Sequence, residues 1–138
     1  MRLNPLMLAP AGVVLALAAC TTSPAPADQA EVTGTAAYRE RILLPPGHVL
    51  TVRLEDVSLA DAPSRTLAEQ VTALEGRAPP YAFNLAYDPA EIRANHSYAV
   101  RAEIRDPEGR LRFTTDTRHS VITGGAPMNV DIMMVAVP

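Results

Sequence analysis

Only a few side chains in this 138-residue chain have the chemistry to attack a bond, move a proton or hold a metal. His48, His96 and His119 are its three imidazoles. Asp116 and His119 lie close enough in sequence to act together, as an acid/base pair or as two ligands of a metal ion. A zinc site wants a third protein ligand, and none stands at a local spacing. Polar residues of a surface loop account for the pair more simply, and His48 and His96 sit beside turn signals. Ser58, Ser64, Ser97 and Ser120 carry hydroxyls, but none is framed by the Gly-x-Ser-x-Gly of a nucleophile elbow. Ser120 adjoins His119, yet neighbours on a strand point to opposite faces. Gly124-Gly125 lacks the downstream spacing of a phosphate loop and reads as a turn. Asn95-His96-Ser97 fits a glycosylation sequon by chance. The expectation is therefore no enzyme, with no catalytic residue, no metal and no cofactor.

Cys20 is different. It is the chain's single cysteine, which excludes an internal disulfide and any multi-cysteine metal site. Residues 1–19 have the layout of a secretory signal, with Arg2 as a short positive region and an apolar run from Leu6 to Ala19. At about 14 residues that run is too short to span a bilayer as a helix. It ends in Leu17-Ala18-Ala19-Cys20, which matches the lipobox of bacterial lipoproteins. That match implies a thioether-linked lipid on Cys20, cleavage before it and acylation of the new terminus. Acyl chains at about 0.8 kcal/mol per buried methylene anchor firmly when there is more than one. Thr21 and Thr22 follow, without the Asp that retains enteric lipoproteins in the inner membrane, so an outer-membrane anchor is expected by analogy. Residues 20–32 read as a tether. Thr22 to Gln29 contains no large apolar residue and is broken by Pro24 and Pro26, a composition that favours extended, solvated chain.

The chemistry-poor remainder, residues 33–138, must be held by its patterning. Hydrophobic residues make up 48% and charged residues 20%, which excludes disorder throughout. Aromatic residues are 4% and tryptophan is absent, so an aliphatic core is expected. All 12 basic residues are Arg against 15 acids, leaving no basic patch for nucleic acid. Leu50 to Glu55 alternates apolar and polar strictly. Tyr98, Val100, Ala102 and Ile104 should face inward, with Ala99, Arg101, Glu103 and Arg105 facing water. Tyr81, Phe83, Leu85 and Tyr87 share another face, as do Val130, Ile132 and Met134. A first strand is expected around Thr35 to Leu43. Pro45-Pro46-Gly47, Asp106-Pro107-Glu108-Gly109 and Gly124-Gly125-Ala126-Pro127 separate the runs, the second as a type I hairpin turn. Residues 64–76 fit a helix and a strand about equally. The pattern points to an all-β fold, an antiparallel β-sandwich of about seven strands, immunoglobulin- or transthyretin-like.

Two surfaces stand out on those strands. Arg39, Arg41, Arg53, Arg101, Arg105, Arg110 and Arg112 occupy outward positions interleaved with Glu40, Glu55 and Glu103, which reads as cross-strand pairing on a solvated face. Asp56, Asp88 and Asp106 stand at strand ends, where they should bond turn amides. Met128 and Met134 read as core filling. Met133, Val135 and Val137 make the last strand apolar on its other side too, so this face is a candidate for binding a partner.

Several blocks carry a resemblance: Tyr38-Arg39-Glu40-Arg41, Leu44-Pro45-Pro46-Gly47, Leu54-Glu55-Asp56-Val57-Ser58, Ala60-Asp61-Ala62-Pro63 and Leu67-Ala68-Glu69-Gln70. Tyr87-Asp88-Pro89-Ala90-Glu91-Ile92, Tyr98-Ala99-Val100-Arg101-Ala102 and Gly109 to Asp116 continue it. Over roughly residues 33–137 the chain resembles the YbaY-like family of small bacterial lipoproteins, whose relatives include the YscW-type pilotins of type III secretion. The resemblance implies a β-sandwich, with a strand at 65–71 and a turn near Ala73 to Glu75. It implies no known enzymatic activity. Pilotins bind a secretin subunit and escort it to the outer membrane through their own lipid. The expected protein is thus held to the membrane by the lipid on Cys20, with its domain in the periplasm, where it binds or helps assemble another envelope protein, secretin-like in pilotins. The alternative is a small-ligand-binding lipoprotein with a pocket between its sheets.

Overall fold

The computed structural model describes residues 28–138 together with Gly12. The signal segment, Cys20 and most of the expected 20–32 tether lie outside the described residues.

Where the period is two, the chain is extended. Eight strands follow one another: β1 (Ala30–Tyr38), β2 (Val49–Asp56), β3 (Arg65–Ala73), β4 (Tyr81–Tyr87), β5 (Tyr98–Arg105), β6 (Leu111–Thr114), β7 (His119–Val121) and β8 (Asn129–Ala136). A single 3-10 turn, Pro89–Glu91, is the one helical element among the described residues. It starts at Asp88, whose side chain accepts from the Ala90 N–H. Strand β4 follows the alternation residue by residue, with Tyr81, Phe83, Leu85 and Tyr87 buried and the residues between them exposed. The segment that fitted helix and strand equally is β3, closed by the turn at Glu75 and Gly76, both at positive φ. The first strand begins at Ala30 and ends at Tyr38, earlier than the Thr35 to Leu43 expected, and it reaches into the stretch read as tether.

All-β is what the structure shows, but not as two facing sheets. The strands form one sheet in the order β3-β2-β5-β6-β8-β1-β4, with β7 paired separately to β5, and it curls until it is nearly a closed barrel. All pairs are antiparallel except β1 with β8. The end strands β3 and β4 meet without a ladder, and the Gln70 side-chain oxygen accepts the Asn84 N–H at 2.8 Å across the seam. The sandwich expectation is therefore corrected to a curled single sheet, and no immunoglobulin-like layering is seen. Both architectures bury alternate residues of every strand, so periodicity alone does not separate them. The difference lies in β8, which joins β6 on one side and β1 on the other.

The core is not aliphatic either. Tyr38, Tyr81, Phe83, Tyr87, Tyr98 and Phe113 are all buried, packed with Leu50, Leu54, Leu85, Ile104, Ile132 and Met134. The Phe113 and Tyr38 rings stack at 4.5 Å between centroids. Rings are few, but one large ring fills the middle of a barrel better than several small side chains. These side chains occupy the space in which the alternative reading placed a ligand. Ala99, expected to face water, is covered as well.

Candidate functional site

The features that could recognise something gather on the outside of β8. Strand geometry sends Ile132 and Met134 into the core and Met133 and Val135 outward, where they are 42% and 38% exposed. Val137, just beyond the strand, is half-buried. A surface groove of about 360 Å³ crosses here, lined by Arg39, Glu40, Asp116, Thr117, His119 and the Met133–Val135 stretch. Its far wall is a break in the sheet. Strand β6 pairs with the C-terminal half of β5, the Thr115 N–H still reaches the Ala102 carbonyl at 3.1 Å, residues 116–118 then leave the ladder, and β7 pairs with the N-terminal half of β5. The sequence pattern located the apolar face. It did not locate the groove, because the break is set by which half of β5 each short strand chooses.

Asp116 and His119 both border this groove, but no hydrogen bond or ion pair joins them. Asp116 instead accepts from the Thr117 hydroxyl at 3.0 Å. Nε2 of His119 is buried with no hydrogen-bond partner. The two side chains share a site without forming a dyad.

The acid–histidine pair that does form is Asp56 with His96. His96 Nδ1 stands 2.6 Å from Asp56 Oδ2. Asp56 Oδ1 accepts from both the N–H and the hydroxyl of Ser58, and the Ser58 oxygen accepts the Ser97 N–H at 2.9 Å. The carbonyl of His96 takes the Thr123 hydroxyl at 2.7 Å. Partial burial opposes ionisation of Asp56, but the bonds from Ser58 and His96 outweigh it and lower its pKa. The Ser58 hydroxyl is thus spent on the Asp56 carboxylate and the Ser97 N–H, tying three connections together rather than facing the imidazole as a nucleophile. His48 is buried, with Nδ1 2.9 Å from the Pro45 carbonyl.

Some of the charged residues do what their positions implied. Asp56, Asp88 and Asp106 each accept backbone N–H groups of the following turn. Arg53 bridges Glu69 at 2.6 Å and Glu103 at 3.0 Å across neighbouring strands. Glu55 departs from the expected outward row: a register shift between Leu54 and Glu55 leaves it buried. Met128, expected in the core, is 38% exposed, with its sulfur 3.9 Å from the Tyr87 hydroxyl. No cluster of three or more His, Cys, Asp or Glu side chains that could hold a metal occurs among the described residues.

Known proteins share this architecture and sequence. The family model described as "Type III secretion system lipoprotein chaperone (YscW)" matches residues 27–134. The uncharacterized lipoprotein YbaY of Escherichia coli (strain K12) is 38% identical over 144 aligned positions, covering 91% of this chain and 75% of that protein. The solved structure of an alternative pilotin from the type II secretion system of Vibrio cholerae superposes with a TM-score of 0.77 at 47% identity. That match covers 80% of this chain and 99% of the pilotin, so the curled sheet is shared almost whole. With most of its length matched by the family model and its sheet by a solved pilotin, the chain belongs to the YscW family of secretion-system lipoprotein chaperones.

Proposed function

We propose that this protein is a pilotin-like chaperone: a lipid-anchored envelope protein that binds another envelope protein, a secretin-like subunit, and assists its assembly. The lipid sits on Cys20 and inserts in the outer membrane, and the domain works in the periplasm. The docking face is the outer side of β8, Met133 and Val135 with Val137. The exposure of Met133 and Val135 on one face of β8, beside a groove, is the observation that carries this reading. Catalysis has no part in it, and neither does a cofactor, a metal or nucleic acid.

Two substitutions test the two halves separately. Cys20→Ala, followed by membrane fractionation and intact-mass measurement, should release the protein from membranes and remove the mass of the acyl chains. Unchanged retention and mass would refute the anchor. Met133→Asp with Val135→Asp should abolish co-isolation of a secretin subunit after crosslinking in intact envelopes, while melting stays as in the parent. Recovery of the subunit at parental yield would refute the docking face.

A further inference from the structure

We infer that the loop after β1, Arg39 to Leu43, is a second and reversible membrane contact. Ile42 and Leu43 enter the interfacial layer of an anionic bilayer, and Arg39 and Arg41 meet its headgroups. The bilayer is the one that carries the chain's own lipid, so the inference rests on the anchor proposed on Cys20.

Arg39, Glu40, Arg41, Ile42 and Leu43 are five consecutive exposed residues. Ile42 is 50% exposed and Leu43 65%. Nowhere else among the described residues do two large aliphatic side chains adjacent in sequence both face water. The loop is held in that form. Before it, the buried Tyr38 donates its hydroxyl to the Ile42 carbonyl at 3.0 Å. After it, Leu44 is buried in the core, and His48 Nδ1 stands 2.9 Å from the Pro45 carbonyl. Pinned at both flanks, the loop presents Ile42 and Leu43 outward instead of burying them. Arg39 and Arg41 make no ion pair among the described residues. An Arg can lay its apolar stem in an interface while its guanidinium stays with the headgroups. Aliphatic residues flanked by Arg are the composition of an interfacial binder. A protruding tip also suits a fluid surface, which needs no matching hollow.

Charge decides which end of the sheet meets the membrane. The strand registers put connections 39–48, 74–80 and 106–110 at one end. Connections 57–64, 88–97 and 122–128 lie at the other, where the tether enters. Counting strand ends, the first holds Arg39, Arg41, Arg77, Arg105, Arg110 and Arg112 against Glu40, Glu75, Asp106 and Glu108. The tether end holds Arg65 and Arg93 against Asp28, Glu31, Asp56, Asp61, Asp88 and Glu91. Within a Debye length, about 10 Å, an anionic surface therefore repels the tether end and attracts the far one. The nine residues of β1 rise about 30 Å. The ten steps from Cys20 to Ala30 reach roughly as far. The domain can thus stand on its tether end, or tip until the loop touches the bilayer. Linkage through the lipid makes that contact intramolecular, so a weak tip suffices.

The sequence has no tryptophan, so Leu43→Trp introduces a single fluorescent reporter. The full lipid-carrying chain is reconstituted in phosphatidylcholine vesicles, with or without phosphatidylglycerol, and brominated acyl chains serve as quenchers. With phosphatidylglycerol the emission should shift to the blue and fall at least about twofold, and much less without it. Adding Arg39→Gln and Arg41→Gln should weaken the contact at least about fivefold. Leu59→Trp, at an exposed position of the tether end, should be quenched less than Leu43→Trp. Stronger quenching at position 59 overturns the inference. Quenching at position 43 that ignores both phosphatidylglycerol and the two Arg changes also overturns it. An unquenched Leu43→Trp chain that floats with the vesicles overturns the loop contact and leaves the anchor standing. A chain that does not float with them overturns the anchor, and the loop contact with it.

Discussion

Gly34 is kept bare by the strand beside it. A Cβ built there would stand 1.7 Å from the carbonyl oxygen of Val130 and 3.0 Å from the Phe83 ring. The nearest atom is backbone in the parallel β1–β8 pair, so relief would require separating those strands. Gly34→Ala should cost at least about 3 kcal/mol and lower the melting temperature by more than about 10 °C, measured by thermal circular dichroism. Asp106 is one of the residues at which pH acts. It caps the β5–β6 hairpin, accepting the Glu108 and Arg110 N–H groups and pairing with the Arg110 guanidinium at 2.9 Å. Burial favours its neutral form, but those bonds outweigh burial and lower its pKa. A carboxyl depressed on folding stabilises above its unfolded pKa, near 4, and loses that contribution as pH falls through the folded value. Asp106→Asn should therefore melt below the parent at pH 7, with the gap closing toward pH 3. The role of Asp106 was legible because its partners are neighbours in sequence. The Asp56–His96 pair was not, since 40 residues separate the two and no local pattern links them.

Strands read well from sequence when one face is buried and the other wet, as β4 and β5 are. Their assembly did not. Period two reports that each strand has an inside, but not whether the insides face a second sheet or one another around a curl. That choice is made at contacts between distant elements, chiefly where β6 meets β8 and β8 meets β1. Phe113 marks the point. It lies on β6, pairs across to Ala136 of β8 and stacks on Tyr38 at the end of β1, so one ring touches the elements that close the curl. Phe113→Ala should cost about 3–5 kcal/mol, read from urea midpoints at unchanged m-value. A similar loss in a flat or sandwiched arrangement would not spread, whereas here exchange protection should fall in both β1 and β8. The break between β6 and β7 was equally invisible. Residues 115–118 carry no Gly or Pro to announce a bulge, and only the pairing with β5 reveals it.

The whole molecule has two ends that differ in use. The start of β1, the end of β4 and the start of β8 lie together, since Ala30 pairs with Tyr87 and Thr33 with Asn129. Chain leading back to Cys20 leaves from this end. Met133 and Val135 stand in the far half of β8, beside Tyr38 at the end of β1. A domain hung from its near end by the lipid proposed on Cys20 would thus present the groove away from the membrane, at a distance set by the strand and the tether. An extended chain spans at most about 3.3–3.6 Å per residue, so the segment from Cys20 to Ala30 allows a reach of up to roughly 35 Å. Because that segment contributes no core side chain on the sequence reading, its length should govern reach and not folding. Deleting residues 22–27 should leave the melting temperature within about 1 °C of the parent. It should also leave the chain in the membrane fraction while lowering the crosslinking yield of the subunit bound at β8. A deletion that lowers stability instead would mean that the tether packs on the domain, and parental yield would mean that reach does not limit the encounter.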